Sequence, residues 1–188
     1  MVELERLRED HAAALLVFER ENREYFARSV PDRGDAYFAG FPARHAALLA
    51  EQKAGLIHFH VVVDASGTLL GRVNLIADAE AAGRAELGYR IGERAAGRGV
   101  ATAAVAEVCR LAASAYGLTA LTAVTTRDNL ASATVLERNG FAAIADIELV
   151  GRPGIRYERP LPPADGEGGL RAPGGEGAET AGSATAGA

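Results

Sequence analysis

A strand that runs into a glycine-rich turn and straight out into an alanine-rich helix, between Glu86 and Thr102, is the strongest constraint in this sequence. Glycine tolerates positive φ, so Gly97 and Gly99 let the chain bend sharply and aim successive backbone N–H groups at one point. A helix starting there adds its unpaired first-turn donors and the positive end of its dipole. Such a turn predicts a site for an anion, most naturally a phosphorylated ligand, and it embeds that site in an α/β fold.

The chain has 188 residues and is 48% apolar, enough for one domain with a sizeable core. Residues 1–160 read as that domain. Residues 161–188, rich in Gly, Ala, Glu and Pro, read as a disordered tail with too little apolar surface to offset the entropy of ordering. Four acids (Asp165, Glu167, Glu176, Glu179) against Arg171 give the tail a balance of −3, leaving −2 of the total −5 for the domain. A near-neutral domain without a Lys/Arg cluster excludes the basic stripe of a nucleic-acid binder. The start, MVELERLRED, lacks a basic and then apolar leader, and no run reaches membrane-spanning length, so a soluble cytoplasmic protein with no membrane partner is expected. The single cysteine, Cys109, lies inside a helical pattern and reads as core. His58 and His60 share a strand face, but nothing else has metal-ligand spacing, so no metal is expected.

Periodicity predicts strands over 2–7, 56–64, 68–77, 84–91, 118–126, 141–150 and 156–160. Helical patterns start at Asp10 and cover 39–54, 99–116 and the stretch from Asp128 to Asn139. A mixed sheet with helices on both faces accommodates this order.

About thirty residues after the glycine turn comes a second motif, Asp128-Asn-Leu-Ala-Ser-Ala-Thr-Val-Leu-Glu-Arg-Asn-Gly-Phe141. The pair of motifs resembles the two cofactor motifs of the GNAT superfamily of acetyl-CoA-dependent N-acetyltransferases, and the order of elements from 2 to 160 is similar as well. The resemblance implies a central, mostly antiparallel twisted sheet of about seven strands with helices on both faces. It also implies acetyl-CoA as co-substrate. The family pattern Arg/Gln-x-x-Gly-x-Gly/Ala aligns on Ala96, Gly99 and Ala101, although Arg94 and Gly97 match it literally. In either register residues Gly97, Arg98, Gly99, Val100, Ala101 and Thr102 would hold the pyrophosphate.

Within the family, the second motif resembles the RimJ/RimL group, which acetylates protein N-termini. A tyrosine that protonates the departing thiolate in other members is replaced by Leu136. The resemblance assigns Ser132 to the sulfur, Asn129 to the cofactor and the N–H of Ile91 to the thioester carbonyl, and it assigns Glu86 the role of base. Each residue has a plainer reading too: Glu86 as a solvated strand residue paired with Arg84 or Arg90, Ser132 as a helix-surface serine, Asn129 as a helix N-cap. Asn74 on the hairpin and Tyr37 in the aromatic cluster 25–41 are candidates for the acceptor pocket. The acceptor is a protein N-terminus or a small amine such as a polyamine or antibiotic, and a CoA-binding module without catalysis stays open. A monomer or homodimer is expected.

Overall fold

The structure is a computed structural model and describes residues 2–163. A seven-stranded sheet in the order β1-β2-β3-β4-β5-β7-β6 forms its centre. The strands are β1 (Val2–Arg6), β2 (Ile57–Asp64), β3 (Leu69–Ala77), β4 (Arg84–Ile91), β5 (Ala120–Thr126), β6 (Ala142–Leu149) and β7 (Arg152–Pro160). Only β4 and β5 run parallel; every other neighbouring pair is antiparallel.

Two cores sandwich the sheet because residues alternate faces along each strand. Phe59, Val61 and Val63 of β2 meet α1 (Ala12–Glu21), α2 (Arg23–Ala27) and α4 (Phe41–Lys53) through Leu15, Phe18, Phe26, Phe41 and Leu48. Val62, Val73, Leu75, Ala85, Leu87 and Ile91 face the other way, onto Ala104, Val105, Val108 and Ala112 of α5 (Val100–Ser114) and Leu136 of α6 (Leu130–Arg138). Alanines at the buried positions let α5 lie close to the sheet, and each fully buried valine contributes about 1.5–3 kcal/mol by leaving water.

Several expected boundaries shift for local reasons. The helix expected over 39–54 is α4, which starts at Phe41 with Pro42 in its first turn, and Gly40 separates it from a further short helix, α3 (Asp35–Ala39), that lies in the expected loop region before it. The last strand begins at Arg152, four residues before the expected 156, because Pro153 and Gly154 mask a strand that pairs with β6 on one side and β5 on the other. The folded body continues past 160: Leu161 is buried and its N–H donates to the Thr119 carbonyl at 2.8 Å. Residues 164–188, most of the expected tail, lie outside the described residues. Among the described residues no helix is long and apolar enough to cross a membrane, and no group of three or more His, Cys, Asp or Glu could hold a metal ion.

Candidate active site

The glycine turn leaves β4 with Gly97 at φ 71° and Gly99 at φ 77°, both in the region that side chains with a Cβ avoid. Gly99 caps α5, and the first helical bond runs from the Ala103 N–H to the Gly99 carbonyl at 3.0 Å. The N–H groups of Val100, Ala101 and Thr102 therefore have no partner within the helix. A Cβ built on Gly97 or Gly99 would meet nothing within 4 Å, so the space before these donors is open, and the first turn of α5 carries no acid. Such a cradle suits a pyrophosphate. The Arg98 side chain is exposed and stands outside the cleft wall, whereas Ala96, Gly97 and Gly99 through Thr102 form part of it.

A fork in the sheet opens next to the turn. β4 pairs with β5 only at Arg84↔Ala120, Ala85↔Leu121 and Glu86↔Thr122, yet β4 stays paired with β3 through Ile91 and β5 with β7 through Thr126. Beyond Glu86 the two strands part. The Gly92 N–H donates to Leu70 of β3 at 2.9 Å, so alternation turns the N–H groups of Ile91, Tyr89 and Leu87 the other way, into the fork. The result is a cleft of about 910 Å³ that passes through the sheet, with the α5 turn on one face and residues 25–31 on the other.

The second motif forms the far wall. Asn129 caps α6 by accepting the Ser132 N–H at 3.1 Å, which fixes Ser132 at the cleft. There the Ser132 hydroxyl lies 3.0 Å from the Tyr89 hydroxyl. Burial pushes the Tyr89 phenol up, and the bond to Ser132 works against that shift. Tyr89 is the site residue that sequence reasoning missed. The available signal was its parity with Leu87 and Ile91, which turns its ring towards α5 and α6. Buried Asn139 joins the two motifs, its amide donating to the Val135 carbonyl at 2.8 Å and to the Thr102 carbonyl of α5 at 3.3 Å.

Other expected site residues lie apart from this wall. Glu86 is exposed at the fork's apex and is absent from the cleft wall. Neither expected arginine pairs with it, since Arg84 bonds Glu158 and Arg90 bonds Glu19. Asn74 is buried beside Gly88 and accepts from Arg72 at 3.1 Å, and Tyr37 packs on Phe38 and Phe41 behind the wall with the Arg33 guanidinium over its ring. His58 stacks on Tyr116 with ring centroids 3.7 Å apart, and His60 Nε2 meets the Tyr116 hydroxyl at 2.8 Å, so both serve the packing of β2 against the end of α5. Cys109 is 2% exposed and burial pushes its thiol up, so it fills core.

The architecture is shared with solved enzymes. The structure aligns with the ribosomal-protein-S5-alanine acetyltransferase from Vibrio fischeri at TM-score 0.78 and 21% identity, covering 85% of this chain and 92% of that one. For Mycobacterium smegmatis RimJ, solved with a CoA disulfide, the TM-score is 0.75 at 23% identity, with 85% and 81% covered. For spermidine N-acetyltransferase from Vibrio cholerae, solved with CoA and spermine, it is 0.71 at 16% identity, with 85% and 95% covered. No curated protein matches the sequence. The family model for the acetyltransferase (GNAT) domain matches residues 2–142, from β1 into the start of β6. With that match over most of its length, and with the glycine turn and forked sheet in place, the chain belongs to the GNAT family of acetyl-CoA-dependent N-acetyltransferases.

Proposed function

We propose that the protein acetylates the α-amine of a protein or peptide N-terminus by direct attack on acetyl-CoA. The observation that carries this reading is the cleft itself: it opens on both faces of the sheet, and its wall contains no Asp or Glu. A polyamine would bind such a wall poorly, for want of carboxylates to meet its charges. An extended chain end can instead enter from the side of residues 25–31 and meet a thioester arriving from the α5 side. The higher TM-scores to the ribosomal-protein enzyme and to RimJ than to the spermidine enzyme support the same choice.

In this mechanism the N–H groups of residues 97–102 receive the pyrophosphate, and Asn129 orders the far wall. The inward amides of Ile91, Tyr89 and Leu87 bind the pantetheine arm and polarise the thioester carbonyl. An α-amine with an unperturbed pKa of about 7.7–8.0 is mostly protonated at neutral pH, and Glu86 at the fork's apex takes its proton, directly or through water. The amine nitrogen then bonds the thioester carbon, the carbon–sulfur bond breaks, the Ser132–Tyr89 hydroxyl pair protonates the thiolate, and the second proton shed by the nitrogen restores that pair through water. With its cysteine buried, the enzyme forms no acyl intermediate and passes through a ternary complex.

The test is acetyl transfer to a panel of short peptides and small amines, followed by mass spectrometry. Acetylation of peptide α-amines is expected. Turnover confined to small amines overturns the reading.

A further inference from the structure

Behind the cleft, on the face opposite α5, one buried carboxylate meets three guanidiniums, of which Arg72 is buried, Arg90 half-buried and Arg33 exposed. Glu19, 2% exposed, accepts from Arg72 Nε at 2.7 Å and from Arg90 at 3.3 Å, and Arg33 approaches it to 3.8 Å. Nearby, Arg23 is paired with both Asp32 and Asp35, so four arginines face three acids and the cluster keeps one positive charge in excess. Arg72 spends its donors inward, on Glu19 and Asn74. Arg90 does not: Glu19 takes one of its five N–H donors, and its side chain lines both the cleft and a small side pocket. The Phe26 ring, 5.0 Å from the Arg90 guanidinium, and the Tyr37 ring, 4.5 Å from that of Arg33, hold both groups in place.

Burial pulls Arg90 down to about 10, with Arg72 and Arg33 pushing the same way and Glu19 opposing, so it is charged at neutral pH and short of counter-charge. Of the other arginines on the cleft wall, Arg28 pairs with Glu93 and Arg152 with Asp128, while Arg138 ends α6 on the side of the glycine turn. Arg28 keeps spare donors too, but it is exposed and held by its one bond to Glu93, whereas Arg90 is half-buried and fixed between Glu19 and the Phe26 ring, so it is the pre-positioned guanidinium with spare donors on the face where an acceptor enters.

We infer that Arg90, backed by Arg33, binds a carboxylate of the acceptor, so that the substrates are amines carrying an acidic group within two residues' reach of the reacting nitrogen, foremost N-termini with Asp or Glu at the second or third position. A planar guanidinium receives a carboxylate through two parallel hydrogen bonds, which fixes the orientation of the chain as well as adding affinity. The neighbouring residues on β4, Tyr89 and Ile91, point their amides into the fork, so a peptide in register with Arg90 brings its amine towards the thioester. At about 3.3 Å per extended residue, one or two residues separate the amine from the group that Arg90 holds. The inference rests on the proposed amine acetylation in this cleft.

The test compares amidated pentapeptides bearing aspartate at position two or three with the same peptides bearing asparagine, together with free glutamate and spermidine. It uses the wild type, R90Q and the milder R33Q. Two readouts are taken: CoA release, and calorimetric binding of each acceptor to the CoA-loaded protein. The wild type should favour the aspartate peptides by about tenfold or more in kcat/KM and in Kd, and R90Q should erase that preference while leaving the asparagine peptides within about threefold. R33Q should reduce the preference, and CoA binding by both variants reports that they are folded. Equal use of aspartate and asparagine peptides, a preference for spermidine, or an undiminished preference in folded R90Q overturns the inference. A preference seen in binding without any turnover upholds it and sinks the proposed transfer to N-termini. So does turnover limited to free glutamate.

Discussion

The hydroxyls of Tyr89 and Ser132 lie 3.0 Å apart although 43 residues separate them, one on β4 and the other at the start of α6. They meet at the edge of the cleft, where the family's usual tyrosine is replaced by the fully buried Leu136. If the pair supplies the proton to the leaving thiolate, Y89F and S132A should each lower kcat by about 10²-fold with little change in acetyl-CoA affinity. The double variant should be no worse than the poorer single one, because the hydroxyls act as a unit. A strictly additive cycle, or full activity in Y89F, removes Tyr89 from the reaction.

Glu86 gives a different signature. E86Q should reduce kcat on peptide acceptors by about 10²–10⁴-fold near neutral pH and leave a residual rate that climbs with pH as the amine itself deprotonates, since the amide cannot take a proton at any pH. Equilibrium binding of acetyl-CoA should be unchanged. Wild-type turnover by E86Q at neutral pH would show that the amine loses its proton to another group.

Replacing Gly99 probes the cradle. With φ at 77°, a valine there carries a backbone strain of about 1–3 kcal/mol and puts a side chain into the open space before the α5 donors. G99V should weaken acetyl-CoA binding at least about tenfold while the KM of the acceptor moves little. Unchanged acetyl-CoA affinity in G99V would place the phosphates elsewhere.

His60 links stability to pH. Burial brings its imidazole from 6.5 down to about 4, with Arg6 and His58 adding to the effect and Glu107 opposing it. Between those two values the unfolded chain binds a proton that the folded one refuses, so the contribution is complete above about pH 6.5 and is lost as the pH falls towards 4. The loss is on the order of 2–3 kcal/mol. Urea unfolding at pH 7 and pH 4.5 should show H60Q losing less stability across the interval than the wild type, and equal losses would refute the assignment.

Strand β4 and the turn after it were legible because their signals are local: alternation runs cleanly from Arg84 to Ile91, and Gly97 and Gly99 announce the bend. The break at Gly40 and the early start of β7 at Arg152 were harder, since a lone glycine or a proline–glycine pair reads as loop unless the pairing partners are known. The Tyr89–Ser132 contact and the bond between Arg90 and Glu19, which spans 71 residues, left no trace in any window of sequence. Topology creates them, by laying β4 between α6 on one face and α1 on the other. Tyr37 and Asn74 carried the right chemistry for an acceptor wall, but each is spent on holding an arginine: Arg33 lies over the Tyr37 ring and Arg72 bonds Asn74.

The burial of Cys109 has a practical side. Because this is the chain's sole thiol and it is packed in the core between α5 and the sheet, a thiol-reactive dye added to the native enzyme should colour only with the coenzyme set free at each turnover. Product release can thus be followed continuously in the unmodified protein, and a slow rise in background signal would report unfolding of the α5 core.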